Sequence, residues 1–189
     1  MNKPSFQFEY QTERLILKVL SPEYTREALE FQLRNKELFE KYEPTRSEDF
    51  YTLNYQQTVL KCEFKLAMKM ENIRFYVFRK EDPRMIIGTV CLHDIVRSSY
   101  SCSEVGYKFD EGWHHMGYAK EALARVMNIA FYDLGLHRLF ARVMPENEPS
   151  IHLLESLHFT EEGIEHKSIQ ILGKWEDHIR FSYLNPYED

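Results

Sequence analysis

Cysteine is scarce in this chain of 189 residues, at three copies, and Cys62, Cys91 and Cys102 are scattered. An odd, dispersed set does not make a disulfide framework, and no pair has metal-ligand spacing, so a reduced intracellular setting is expected and no metal. A basic excess is also missing. Lys and Arg total 24 against 30 Asp and Glu, for a formal net charge of -6, which argues against a nucleic-acid partner. That balance is compatible with a cationic substrate such as an amine. Long apolar runs are absent too: no segment could span a membrane, and Met1 to Tyr10 has no signal-peptide core. A cytoplasmic protein without membrane contact is the expectation. No repeat, low-complexity tract or linker divides the chain, so residues 1–189 read as one domain.

What is present is an ordinary globular composition, 43% hydrophobic and 14% aromatic. Glu13–Leu20 suits a first strand, and Ser21-Pro22-Glu23 suits a helix start with Ser21 as cap. Helical patterning continues through Leu38 until Pro44, and a longer helix is predicted from about Glu48 to Met70. Arg74–Arg79 and Met85–Val96 read as a hairpin turned at Glu81-Asp82-Pro83-Arg84. Cys102–Phe109 is a third strand of that group. Ala119, Leu123, Val126, Ala130 and Leu134 then fall on one helical face, ended by Gly135. A strand at His137–Met144, a short helix at Ser150–Leu157 and two strands turned at Gly173-Lys174 complete the order. The pattern predicts an α/β domain with a largely antiparallel sheet and one strand–helix–strand crossover.

The most informative stretch is Trp113 to Leu123, a short turn that feeds straight into a helix. A helix start carries unpartnered N–H groups and the positive end of the dipole, so it favours a phosphate. Gly117 lets the backbone approach a ligand closely. The stretch lacks the lysine and hydroxyl of a P-loop and has no G-x-G-x-x-G, which disfavours triphosphate and dinucleotide sites.

Four segments together are more specific: Gly117-Tyr118-Ala119-Lys120-Glu121-Ala122-Leu123, Leu134-Gly135-Leu136-His137-Arg138-Leu139, Pro145-Glu146-Asn147-Glu148-Pro149-Ser150, and Leu153 through Phe159. In this order they resemble the GCN5-related N-acetyltransferase (GNAT) family. The likeness is greatest to the branch with ribosomal-protein N-terminal acetyltransferases (RimJ/RimL-like) and spermidine acetyltransferases. Thr12–Leu17 and Lys174–Asp177 are similar to that branch as well, so the resemblance spans nearly the whole domain.

The resemblance implies a GNAT-type mixed, largely antiparallel sheet flanked by helices, with splayed central strands. It also implies acetyl-CoA as co-substrate and direct transfer to a primary amine: a protein N-terminus, a polyamine or a small amine. The family's pyrophosphate pattern, Gln/Arg-x-x-Gly-x-Gly/Ala, maps onto His114, His115, Met116, Gly117, Tyr118 and Ala119, with His114 departing from the usual Gln or Arg. Lys120 could add charge or face solvent. Tyr107 and Phe109, on the strand along which the pantetheine arm runs, and Asn147, in the loop after the next strand, are further CoA contacts by resemblance. A homodimer is open at the family level.

Attack on a thioester needs a neutral amine, whereas a lysine-like amine has a pKa of about 10.4. A base must take the proton and a donor must meet the leaving thiolate. Glu104 is the candidate base, set against a plain solvent-facing carboxylate. The helix tyrosine common in the family is Leu154 here, and Ser150 is the candidate acid, set against a plain helix cap. His114 and His115 are adjacent without matching ligand spacing and do not make a metal site. Cys91 and Cys102 read as packed strand residues. Tyr42, Tyr51 and Tyr55 lie where the acceptor groove is expected, and Trp175 and Asp177 should organise the last hairpin. The alternative function is a non-catalytic acyl-CoA-binding or regulatory protein on the same fold.

Overall fold

The structure is a computed structural model that describes residues 6–188. Met1–Ser5, half of the stretch read for a targeting signal, and Asp189 lie outside the described residues. The strands are β1 (Glu9–Gln11), β2 (Leu15–Lys18), β3 (Ile73–Arg79), β4 (Asp82–Val96), β5 (Cys102–Phe109), β6 (Arg138–Val143), β7 (Thr160–Ile171) and β8 (Lys174–Leu184). They form one sheet in the order β1-β2-β3-β4-β5-β6-β8-β7, antiparallel except for the β5–β6 pair. The helices are α1 (Thr25–Arg34), α2 (Lys36–Phe39), α3 (Leu53–Met68), α4 (Tyr118–Asn128) and α5 (Glu148–Ser156).

Strand alternation sends side chains to two separate cores. In β3, Phe75 and Val77 join a cluster with Ala122, Leu123 and Val126 of α4 and Leu154 of α5. Tyr76 and Phe78, on the opposite face, join Ala28 and Phe31 of α1, Phe39 of α2 and Leu60 of α3. Each fully buried side chain of this size contributes about 1.5–3 kcal/mol, so both faces hold the sheet in place. The parallel ladder is short. It runs Cys102↔Arg138, Ser103↔Leu139 and Glu104↔Phe140 and then stops, although β5 continues to Phe109 and β6 to Val143. The two central strands part there, as the family resemblance implied.

Several boundaries differ from expectation for local reasons. The first strand shrinks to Leu15–Lys18, and β1 pairs with it where no strand was predicted. Ser21 makes no side-chain cap, and a 3-10 turn at Pro22–Tyr24 precedes α1. The long helix from Glu48 is interrupted at Thr52, which is extended and accepts from Tyr55 N at 3.4 Å; its hydroxyl caps α3 and so restarts the helix. The β3–β4 turn is only Lys80-Glu81, and Asp82–Arg84 belong to β4 beside a register irregularity that tolerates Pro83. The last hairpin turns at Leu172-Gly173, both at positive φ, as a two-residue turn on twisted strands requires. After Asn128, α4 widens into one π-type turn over Ile129–Asp133, with Leu134 N bonded to Ile129 O at 3.0 Å.

Candidate active site

Gly117 stands at φ +79 directly before α4, and no side chain caps that helix start. By contrast, Thr52 caps α3 and Asn147 caps α5. The first-turn amides of α4 are thereby left for an incoming acceptor. The turn is braced from below. Glu121 accepts from Thr12 Oγ1 at 2.6 Å, Arg14 N at 2.9 Å and Arg14 Nε at 2.7 Å, while Arg14 Nη1 donates to the Met116 carbonyl at 3.0 Å. Burial opposes ionisation of Glu121, but these donors hold it below the usual carboxylate range. The Arg14 guanidinium also lies 4.5 Å over the Tyr118 ring. His115, Met116 and Lys120 are exposed, Ala119 is half-buried, and His115 itself has φ +60. His114 turns inward: its Nε2 donates to the Phe109 carbonyl at 3.0 Å. The ring that replaces the expected Gln or Arg therefore closes its own loop.

The side chain of Phe109 is packed in the larger core, so only its backbone faces the parting of the strands. Tyr107, two residues earlier, sends its hydroxyl to Ser150 Oγ at 2.7 Å. Ser150 N donates to Asn147 Oδ1 at 3.3 Å, so Asn147 rather than Ser150 is the cap of α5. The Ser150 hydroxyl is thus free of the capping duty that sequence alone would assign it. Leu154 is fully buried beneath it.

On the α1–α3 face a cleft of about 420 Å³ opens beside β5, with Glu104, Gly106, Tyr107 and Lys108 on its floor. Its acids are paired. Arg142 of β6 grips Glu104 with a fork, Nε to Oε1 at 3.0 Å and Nη2 to Oε2. Arg74 Nε donates to Glu63 Oε1 at 2.7 Å, and Lys108 Nζ lies 2.7 Å from Glu43 Oε1. Burial pulls the Lys108 ammonium down to about 8 even against the pull of Glu43. Tyr42 and Tyr55 line the cleft, whereas Tyr51 donates to Glu40 at 2.8 Å instead. Asp177 takes Lys167 N at 2.8 Å and His166 Nδ1 at 2.9 Å, pinning the irregular part of the β7–β8 hairpin, while Trp175 is exposed.

Residues 14–160 match the acetyltransferase (GNAT) domain family. The chain belongs to the GNAT acetyltransferases. A probable N-acetyltransferase, YjcK of Bacillus subtilis, is 36% identical over 163 residues, covering 86% of this chain and 90% of that protein. Among solved structures, the ribosomal-protein-S5-alanine acetyltransferase of Vibrio fischeri superposes with a TM-score of 0.91 at 28% identity, over 97% of this chain and 100% of the other. The RimJ of Mycobacterium smegmatis in complex with CoA-disulfide shares the fold, with a TM-score of 0.84 at 21% identity over 90% and 81%.

Beside the cleft the chain has an uncapped helix start, a glycine at positive φ and a parted pair of strands. The sequence reading missed Glu43, Glu63, Arg74, His93 and Lys108 of the cleft lining, and Arg142 and Asn72, which bond to lining residues. Arg142 was missed because its partner Glu104 comes from a strand brought alongside only by the crossover. Arg74 and His93 were missed because they sit on neighbouring strands, and Asn72 because it lies in the approach to β3. The β4–β5 pairing would have set His93 opposite Glu104, but a register irregularity between His93 and Val96 defeats counting back from the connection. Gly106 makes no bulge and stays in register with Cys91. Its missing side chain has another use. A Cβ there would stand 3.1 Å from His93 Nε2. No group of residues able to hold a metal ion occurs among the described residues, and no helix there is long and apolar enough to cross a membrane.

Proposed function

We propose that this acetyl-CoA-dependent N-acetyltransferase transfers its acetyl group directly to a primary amine seated in the cleft beside Glu104. The observation that carries the reading is the parting of β5 and β6 beyond Glu104↔Phe140, between the uncapped start of α4 and the cleft. Acetyl-CoA supplies the acetyl group already activated as a thioester. The amides of Gly117 to Lys120 would hold its pyrophosphate, and the free edge of β5 from Val105 to Phe109 its arm.

On the acceptor side, Glu104 is the proton acceptor. The Arg142 fork takes one lone pair on each of its oxygens and leaves others for the ammonium or an intervening water, so the carboxylate is held still without being blocked. On the donor side, Ser150 meets the departing thiolate. Tyr107 Oη lies 2.7 Å from Ser150 Oγ and 3.2 Å from the Ser150 carbonyl oxygen; when its one hydrogen goes to Oγ, the shorter contact, the serine hydrogen is left for the sulfur. The acceptor is a protein N-terminus, a polyamine or a small amine.

The test is thiol release from acetyl-CoA with a panel of peptides, polyamines and small amines, with mass spectrometry of the acceptor. Acceptor-dependent release and an acetylated nitrogen support the reading. Tight CoA binding by calorimetry with no acceptor raising release above background would sink it in favour of a non-catalytic acyl-CoA-binding protein.

A further inference from the structure

The cleft contains one imidazole, and its surroundings specify which nitrogen carries the hydrogen. Cys91 Sγ donates to Asn72 Oδ1 at 3.1 Å. Burial, before any other influence, pushes this thiol up to about 12, so it stays protonated and keeps donating. With its oxygen occupied, Asn72 turns its Nδ2 toward His93 Nδ1, at 3.3 Å. Nδ1 has two neighbours, this amide and Cys91 Sγ at 3.6 Å; an amide N–H donates and cannot accept, whereas sulfur is a weak acceptor, so the amide sets Nδ1 as the lone-pair side. Burial first, and then the Arg74 cation, pull the imidazole down to about 4, against Glu104, Asp94 and Glu43, which act the other way. The ring is therefore neutral at ordinary pH, and its single hydrogen is on Nε2.

Nε2 is the atom that stands over Gly106 at the cleft floor, in the strand position next to Glu104. A side chain at residue 106 would cover it. We propose that His93 is the fixed hydrogen-bond donor of the acceptor cleft: its Nε2–H holds an oxygen of the incoming amine substrate, and the Cys91–Asn72–His93 chain locks that polarity. This inference rests on the acetyltransferase reading above. It makes His93 a specificity-determining residue and excludes it as the base, because its only lone pair is turned away from the cleft toward Asn72. It also selects among acceptors. An amine with a carbonyl or hydroxyl oxygen near its nitrogen gains this bond, and a plain polyamine does not.

Two measurements test it. The first is the nitrogen NMR spectrum of the uniformly labelled wild-type protein, in which the two ring nitrogens of His93 report the tautomer without any substrate. Hydrogen on Nε2 and a bare Nδ1 near neutral pH are expected, and the reverse overturns the proposal even if the enzyme is active. The second compares an active acceptor with its analogue in which the oxygen nearest the amine is replaced by methylene. His93→Leu should lower kcat/KM for the oxygen-bearing acceptor about tenfold, the scale of one lost hydrogen bond, and leave the analogue almost unchanged. His93→Gln keeps a donor and should retain most activity with the same pH profile. Equal losses with both acceptors, or activity confined to amines without oxygen, would overturn the donor role. Failure of every acceptor would instead count against the acetyltransferase reading, with the tautomer measurement still standing.

Discussion

On one side of β5 the groups offered to a ligand are backbone amides at the start of α4; on the other they are side chains drawn from α3, β3, β4, β6, the segment after α2 and β5 itself. The first set is neutral, local in sequence and left bare by the absence of a cap. The second is charged, remote in sequence and internally paired, with Glu104, Glu63 and Glu43 each held by a cation. A backbone site tolerates changes of side chain, and the proposed pyrophosphate site would accordingly tolerate His114 where a Gln or Arg is usual. A side-chain site does not, because removing one partner leaves the other buried and uncompensated. Asp110 joins the two halves. It accepts from Arg34 and Asn35 of the α1–α2 segment and from Gly112 N in the turn leading to α4.

Substitutions on both sides, and an acid titration of the joint between them, probe that contrast. The largest loss is expected for Glu104→Gln: about 100-fold or more in kcat/KM for the acceptor, with CoA affinity unchanged by calorimetry, as for loss of a general base. A drop in CoA affinity alone would move Glu104 to the donor side. Ser150→Ala should lower kcat about tenfold, with Tyr107→Phe in the same direction, as for loss of one hydrogen bond to a charged group. If both variants keep full turnover, the sulfur has another donor. Gly117→Ala forces a β-carbon into the left-handed region at a cost of about 1–2 kcal/mol, with Arg14 Nη2 at 3.4 Å, and should weaken CoA about tenfold while sparing acceptor KM.

The joint should respond to acid. Burial opposes the ionisation of Asp110, but Arg34, Asn35 and Gly112 together hold its pKa below the ordinary carboxylate value. A group depressed in the folded state stabilises it above the unfolded pKa, and that stability goes as the pH falls through the folded pKa. Wild-type protein should therefore lose stability as the pH drops below the ordinary carboxylate range. Asp110→Asn should be about 2 kcal/mol less stable at neutral pH in denaturant melts, with a flatter acid limb. The smallest effect is expected for His114→Ala, whose ring bonds only the Phe109 carbonyl of its own turn: about twofold or less in CoA affinity, the low end for one hydrogen bond. A loss as large as that of Gly117→Ala would show that the side chain, too, holds the ligand.

Sequence made the donor side legible because its signals are local. A glycine before a helical stripe, and a strand before both, lie within a score of residues and obey short-range rules. Ser150 shows the limit of the same logic. Serine at a helix start suggests a cap, yet Asn147 three residues earlier takes that duty, and the phenol that meets Ser150 comes from Tyr107 on another element. The cleft was less legible still. Glu104 was marked by its strand, but neither its Arg142 fork nor the orientation of His93 follows from spacing.

By itself, then, the chain determined its alternating strands, its amphipathic α4, the open amides at Gly117 and its GNAT membership, since each depends on neighbours in sequence or on an ordered set of short segments. Only the tertiary structure decided how the charges of the cleft pair and which nitrogen of His93 faces it. Those outcomes depend on a one-residue strand register and on burial, which sequence distance does not encode. In a low-dielectric cleft, such ångström-scale placements govern whether a carboxylate, an ammonium or an imidazole is charged at all.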